Sequence, residues 1–437
     1  MKRHIVIIYI MLGCSTAFSQ SAVEHWKNGK IKSEGEKKDG KEEGNWTYYH
    51  QSGAMSAQGD YVQGKKIGEW KTWYPNGQKQ TVYFPQTGSF TSWYENGATE
   101  STGFFKEYKK DSAWAFYYPN GQAEKICFYD EDFLEGECKM FYQNGKLSFS
   151  GVYHNGEIEG FATWWYDNGN VEMQGLSHEG LQDSLWSFYY RDGILGSQGN
   201  FLNGEREGEW IFYYETGEKW KAGSFKKGWR QGTWLAWYED GKKHREGDFL
   251  NDKEDGLWTQ WYQSGKKMDE GYFCAGMMCK TWYGYYPNET VKYKIDYQQN
   301  KKNGQYLYYW TNGKLRMQGT YKNDQKHGKW LEFSELGNPL ESGKYEFNRK
   351  CGEWIFYDKK GRVFRKQGFY DDFLHGKWIE YYPNGKKHSE GAYKMLNKTG
   401  TWTYYTDKGE ILYQIQYKNG IKKVMKDVGA SASTGKK

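Results

Sequence analysis

Stepping along the chain 24 residues at a time from Gly208 lands on Gly232, Gly256, Gly304, Gly328, Gly352, Gly376 and Gly400 ahead, and on Gly160, Gly136 and Gly88 behind. Ser184, Ser112 and Lys280 occupy the remaining steps. One step of 20 residues leads back from Gly88 to Gly68, and a further 24 to Gly44. A fixed period of this length marks an array of small units, none able to bury its own apolar face, which cover one another by stacking. It also removes the usual inference from length: 437 residues need not mean two or three globular domains.

Sixteen frames superpose on these anchors. Two residues after the anchor, twelve of them carry Trp: Trp46, Trp70, Trp114, Trp186, Trp210, Trp234, Trp258, Trp282, Trp330, Trp354, Trp378 and Trp402. Five residues after it, all sixteen carry an aromatic ring, from Tyr49 to Tyr405. Nine residues after it, fifteen carry glycine, among them Gly77, Gly145, Gly217, Gly241, Gly313 and Gly385, usually behind Asn or Asp. Further on comes Gly-x-Tyr or Gly-x-Phe, as in Gly223-Ser224-Phe225 and Gly319-Thr320-Tyr321.

Asn-Gly between ring-rich runs is a strong hairpin signal, because both residues tolerate positive φ. Pro before it, as at Pro75, Pro119 and Pro383, favours a type I turn with a glycine bulge. Each unit reads as two short strands joined by tight turns. The expected fold is all-β: an elongated antiparallel meander of about 16 tandem β-hairpin repeats, forming a twisted, curled single-layer sheet. Leu, Ile and Val are scarce, a composition that elsewhere signals disorder. Here aromatic residues make up 19% of the chain, against 37% hydrophobic in all, and supply the buriable area.

Register stays open at this level. A two-residue loop sets Trp210 opposite Gly223; a bulged loop sets it opposite Ala222. A one-residue slip moves every side chain to the other face. The Trp and the fifth-position ring have opposite parity, so both faces are expected to carry rings.

Residues 1–19 read as a secretory signal peptide. Lys2, Arg3 and His4 precede the apolar run 5–13, and Ala17-Phe18-Ser19 offers a cleavage pattern before Gln20. A lipoprotein signal cut before Cys14 is the competing reading. The array is expected over 20–423, with irregular units at 68–87 and 280–303, and a flexible tail over 424–437. Pro85 in the first irregular unit reads as a local break in the sheet. In the second, Lys280, Glu289 and Ile295 replace expected glycines; a decayed repeat, a kink and a partner site are the competing readings. Cleavage before Gln20 leaves five cysteines, an odd number that makes no tidy disulfide framework. Cys274 and Cys279 flank one turn and could close it in an oxidising compartment; two free thiols are the alternative.

The segments Gly199–Trp210, Gly319–Trp330 and Gly343–Trp354, with the Tyr-Tyr-x-Asn-Gly that follows Trp in the consensus, resemble the MORN-repeat superfamily, and more closely its bacterial variant. The resemblance covers about 20–423. It implies β-hairpin repeats acting as scaffolds or binding surfaces, and its pattern holds no catalytic residues. Some bacterial members are catalogued as antitoxins of the YwqK type; eukaryotic relatives are linked to membrane juxtaposition and lipid headgroups.

The residues themselves give no catalytic signature. Phosphate loops, Gly-x-Ser-x-Gly and clustered Cys–His motifs do not occur. His154 and His178 stand one period apart without further ligands in view. No enzyme activity, cofactor or metal is expected. The net charge of +6 is spread through turns, so nucleic acid is not an expected partner. The expected function is that of a non-catalytic, exported protein-binding scaffold at the cell envelope: in the periplasm, on the outer membrane surface, or secreted. The alternatives are an antitoxin or immunity protein, and a glycan- or lipid-headgroup-binding surface. Oligomeric state is not legible.

Overall fold

The computed structural model describes residues 19–427. The expected signal segment therefore lies outside the described residues up to 18, as do 428–437 of the expected tail. All regular structure among the described residues is β, in thirty-six strands from Gln20–His25 to Ile421–Asp427. Residues 424–427, expected to open the tail, belong to that last strand. The strands divide into two compact units, one ending at Glu207 and one beginning at Gly208. Within each, strands adjacent in sequence pair antiparallel, as a meander of hairpins requires. Among the described residues the first strand pairs with Ile31–Lys38 and the last with Ile411–Lys418, and neither has a second partner.

Two kinds of turn alternate. In the hairpin turn, the Tyr214 N–H donates to Glu218 O (2.8 Å) and the Gly217 N–H to Tyr214 O (2.9 Å), with Gly217 at φ 87°. This is the bulged loop, which by itself would put Trp210 opposite Ala222. Trp210 nevertheless faces Gly223, because a second irregularity leaves Trp220 unpaired between the pairs Tyr213–Lys219 and Phe212–Lys221. Two bulges cancel, and the register returns to that of a simple hairpin. The return turn is the two-residue, positive-φ type that suits the strand twist: Lys227 lies at φ 51° and Gly228 at φ 76°.

The anchor glycine has a separate task. Gly232 sits at φ 65°, inside a stretch where the pairing jumps from Ser224–Gln231 to Ala222–Leu235. The extra backbone swings Trp234 across Gly223 of the preceding strand. A Cβ at Gly223 would stand 2.3 Å from that indole. The Trp234 Nε1–H donates to Ser224 O at 3.2 Å. The same crossing recurs from Gly35 and Trp46 to Gly391 and Trp402. Eleven of the twelve period Trp residues are buried. Their edges meet the rings of Gly-x-Phe and Gly-x-Tyr, as Trp234 meets Phe225 and Phe249 in T-shaped contacts at 5.1 and 6.0 Å.

Where one member of the crossing changes, either its partner or the packing around it changes as well. Cys127 stands at the strand-glycine position and Cys138 at the next Trp position; a disulfide joins them. Ile295 replaces glycine and is buried, and its cross-strand partner is Tyr306 in place of Trp. Gln367 replaces glycine opposite Trp378, and Trp378 is left half-buried. Ala162 replaces Trp above Gly151, and the Phe149 ring fills the gap, 2.8 Å from where a Gly151 Cβ would be.

The two irregular units keep the ladder intact. At 68–87 the expected break does not occur: the short strand Lys79–Tyr83 pairs on both sides, and the shortfall is taken up by strand length. In the unit at 280–303, Lys280 and Glu289 hold the backbone of the missing glycines, at φ 56° and 68°.

Candidate binding surface

The face opposite the Trp core is set by the same alternation. Thr47, one residue beyond Trp46, pairs with Glu34, and Glu34 accepts a hydrogen bond from the Tyr49 hydroxyl. The fifth-position ring therefore lies on this open face. All sixteen such rings are half-buried, one on every second strand and so about 10 Å apart. Several are bracketed by a Lys–Glu pair from the preceding strand. Lys267 Nζ lies 2.8 Å from Glu270, which accepts from the Tyr285 hydroxyl at 2.7 Å. Lys387 and Glu390 repeat this at Tyr405. The Tyr405 hydrogen bond, then Lys387, hold the Glu390 carboxyl below its usual range against the cost of burial. Burial and that same carboxylate push the Tyr405 phenol up to about 12. Such rings stay neutral, ready to stack and to donate.

The hairpin-turn edge is a second ladder. The Tyr118 hydroxyl donates to Phe141 O (2.8 Å), Tyr142 to Trp165 O (2.6 Å), and Tyr238 to Trp261 O (2.7 Å). Beside them the Asn120 and Asn144 amides donate to the next turn's Gln143 and Asp167 carbonyls. Asp358 interrupts the row of rings. A groove of about 540 Å³ opens there, lined by Phe364, Lys366, Tyr381 and Tyr382, and Arg362 ties Asp358 to Pro383 O across it.

The residues singled out from sequence fall in different places. The period Trp residues form the core and none reaches the open face. Gly77, Gly145, Gly217, Gly241, Gly313 and Gly385 all sit in hairpin turns, at φ between 79° and 88°. Cys274 and Cys279 are joined across the Ala275-Gly276 turn. The Cys127–Cys138 bond was not foreseen, although the two cysteines occupy the glycine and Trp positions of one crossing. Cys351 is the free thiol among the described residues, and burial raises it. His154 and His178 do not converge; each bonds its own carboxylate, Glu135 and Glu159, at 2.9 Å. Among the described residues no three His, Cys, Asp or Glu side chains stand together as a metal site.

A family model described as the MORN repeat variant matches residues 66–83, 134–155, 206–227, 230–251, 254–275, 302–323, 374–395 and 398–419. No curated protein matches the chain. Among solved structures, one entitled "Crystal Structure of TcdB2-TccC3-TEV" is 11% identical, with a TM-score of 0.16, over 92% of this chain and 22% of that one. "Crystal Structure of TcdB2-TccC3 without hypervariable C-terminal region" is 11% identical, with a TM-score of 0.15, over 91% and 30%. A structure of the Photorhabdus luminescens Tc holotoxin pore is 11% identical, with a TM-score of 0.12, over 92% and 23%. The chain thus spans less than a third of each of these solved chains. At these TM-scores the likeness carries nothing about activity.

Proposed function

The chain belongs to the MORN-repeat variant family, and on that premise we propose that it is a non-catalytic, exported scaffold of the cell envelope that binds another protein through its open face. The observation that carries this reading is the row of sixteen half-buried fifth-position rings. They stand on the face opposite the Trp core, and several are bracketed by Lys–Glu pairs. Half-exposed aromatic side chains with polar tips supply large contact area at low entropic cost, which is what protein-binding surfaces use. Within each unit their regular spacing fits an extended contact better than a single small-molecule cleft.

The test is fractionation of cells producing the tagged chain, followed by cross-linking in place and identification of captured proteins. The expected result is a processed chain in the envelope fraction with one enriched partner, lost on Trp237→Ala with Trp261→Ala. An unprocessed cytosolic chain co-purifying with a toxic partner would instead favour the antitoxin reading.

A further inference from the structure

The open face has a second lane, between the fifth-position rings and the return turns. It is made of the residue after each anchor and the residue after each strand glycine. In several other units these cross-strand neighbours are polar and hydrogen-bonded: Asn45 with Asp60, Thr233 with Asp248, Thr281 with Asp296, Thr401 with Gln416; Leu257 with Tyr272 is an apolar pair between two of these polar ones. Between 126 and 185 the same positions hold Phe128, Val152, Phe161, Leu176 and Leu185, exposed by between 42% and 56%. Leu176 faces Phe161 directly, and Val152 faces Glu137. The strands of Val152, Phe161, Leu176 and Leu185 are neighbours, so these four side chains form one contiguous apolar strip, and Phe128 flanks it one strand further on, across Glu137. Scattered exposed apolar residues need no explanation; a contiguous strip does.

Charge departs from the rest of the chain over the same stretch. Residues 126–185 hold eleven Asp and Glu against two Lys and no Arg, in a chain with 61 Lys and Arg to 55 Asp and Glu. Glu137 lies between Phe128 and the strip. Glu135 and Glu159 stand near it in the strand ends by the return turns, each bonded to its histidine. An apolar strip with acidic surroundings complements a segment that is apolar and basic. It repels the acidic headgroups of a membrane surface.

We propose that this strip is the docking site for a cationic amphipathic segment of a partner protein. The proposal rests on the scaffold reading and says where on the scaffold the partner sits. Apolar side chains of the segment rest on Phe128, Val152, Phe161, Leu176 and Leu185, and its Lys or Arg side chains meet the surrounding carboxylates.

The probe is a fluorescent synthetic peptide of alternating Lys and Leu, titrated into the mature full-length chain and followed by anisotropy. It is expected to bind, and peptides of alternating Glu and Leu, or Lys and Ser, to bind at least about tenfold more weakly. Phe161→Thr with Leu176→Asp installs the pair found at Thr233 and Asp248; it is expected to cost about tenfold in affinity with an unchanged circular dichroism spectrum. Val152→Lys, matching Lys344 at the equivalent position, is an independent second variant with the same expected loss. Leu257→Thr with Tyr272→Asp, the same exchange in the second unit, should leave binding intact. Equal binding of the Glu–Leu peptide, or unchanged binding by both strip variants, overturns the proposal. A homodimer in sedimentation that the strip variants dissolve also overturns it, in favour of a second copy as the occupant. The two readings fail separately. A chain that binds the peptide but captures no envelope protein sinks the scaffold reading alone; a strip variant that still captures the partner sinks the strip alone.

Discussion

The indole of Trp234 lies across Gly223, so close that a Cβ on the glycine would stand 2.3 Å from the ring. The two residues belong to successive repeats. The contact is therefore the joint that couples one unit to the next, while the pairing of Trp210 with Gly223 is internal to a unit.

Gly223→Ala should destabilise by about 1–3 kcal/mol, since the ring is held by its own hydrogen bond and by Phe225 and cannot step aside. Trp234→Ala should cost about 3–5 kcal/mol, and Trp210→Ala a similar amount. In urea denaturation the double variant Gly223→Ala with Trp234→Ala should lose less than the sum of the two singles. Strict additivity would mean that the crossing is not a contact in solution.

The Cys127–Cys138 disulfide takes the place of one crossing, which predicts a functional exchange. Cys127→Ser should lower stability by roughly 2–4 kcal/mol. Cys127→Gly with Cys138→Trp should recover most of that loss, and should make thermal unfolding insensitive to reductant at this site. A double variant no more stable than Cys127→Ser would show that this part of the array cannot accept the standard joint.

Lys280 and Glu289 occupy left-handed backbone positions, at φ 56° and 68°, where a side chain costs about 1–3 kcal/mol. Lys280→Gly gives up a cation–π contact with Tyr272 at 4.2 Å, and Glu289→Gly a loose, exposed ion pair with Lys266. Each substitution should still raise stability by about 1 kcal/mol in thermal melts. A fall in both would mean that these side chains serve something other than the fold.

Sequence and structure agree best where the chain marks its own turns. The Asn-Gly turns, the period and the two ring-bearing faces follow from glycine and aromatic spacing alone. Two features did not. The bulge at Trp220 has no residue signature, because any side chain can occupy an unpaired position that points outward; the register therefore stayed open. The anchor glycine was visible, but its partner contact runs from Trp234 back over the return turn to Gly223, a relation between units that positional superposition conceals. The Cys127–Cys138 pair was legible in principle, as both cysteines stand in the crossing's two slots. The apolar strip likewise leaves a trace: Phe161 and Leu176 stand where other units carry Thr and Asp.

The His154–Glu135 and His178–Glu159 pairs make stability depend on pH. Each carboxylate raises its imidazole above the ordinary value, first by hydrogen bonding and then by charge. Glu135 is lowered mainly by the Asn155 N–H, and Glu159 mainly by His178. A raised histidine stabilises fully below its unfolded value, about 6.5, and loses that contribution as pH climbs through its folded value. The lowered carboxylates contribute above about 4.5 and lose this as pH falls through their folded values. The pairs should thus support the fold most between about pH 4.5 and 6.5, and progressively less toward pH 8. His154→Gln with His178→Gln should flatten the dependence of Tm on pH between about 6 and 8. An identical slope in the variant would remove the pairs from the account.

The turn-to-turn clasps carry a consequence for how such a chain can change over generations. Where a turn carries both the ring and the Asn, as Tyr118–Gln122 and Tyr142–Lys146 do, it gives a hydroxyl and an amide to its successor, and the second of these turns receives the same from the first. Excising or duplicating one period between two such turns leaves neither their donors nor their carbonyls without a partner. Where the standard turns and crossings adjoin, the array can lengthen or shorten by a whole unit without redesign of the junction, so its reach is free to follow the size of whatever it meets.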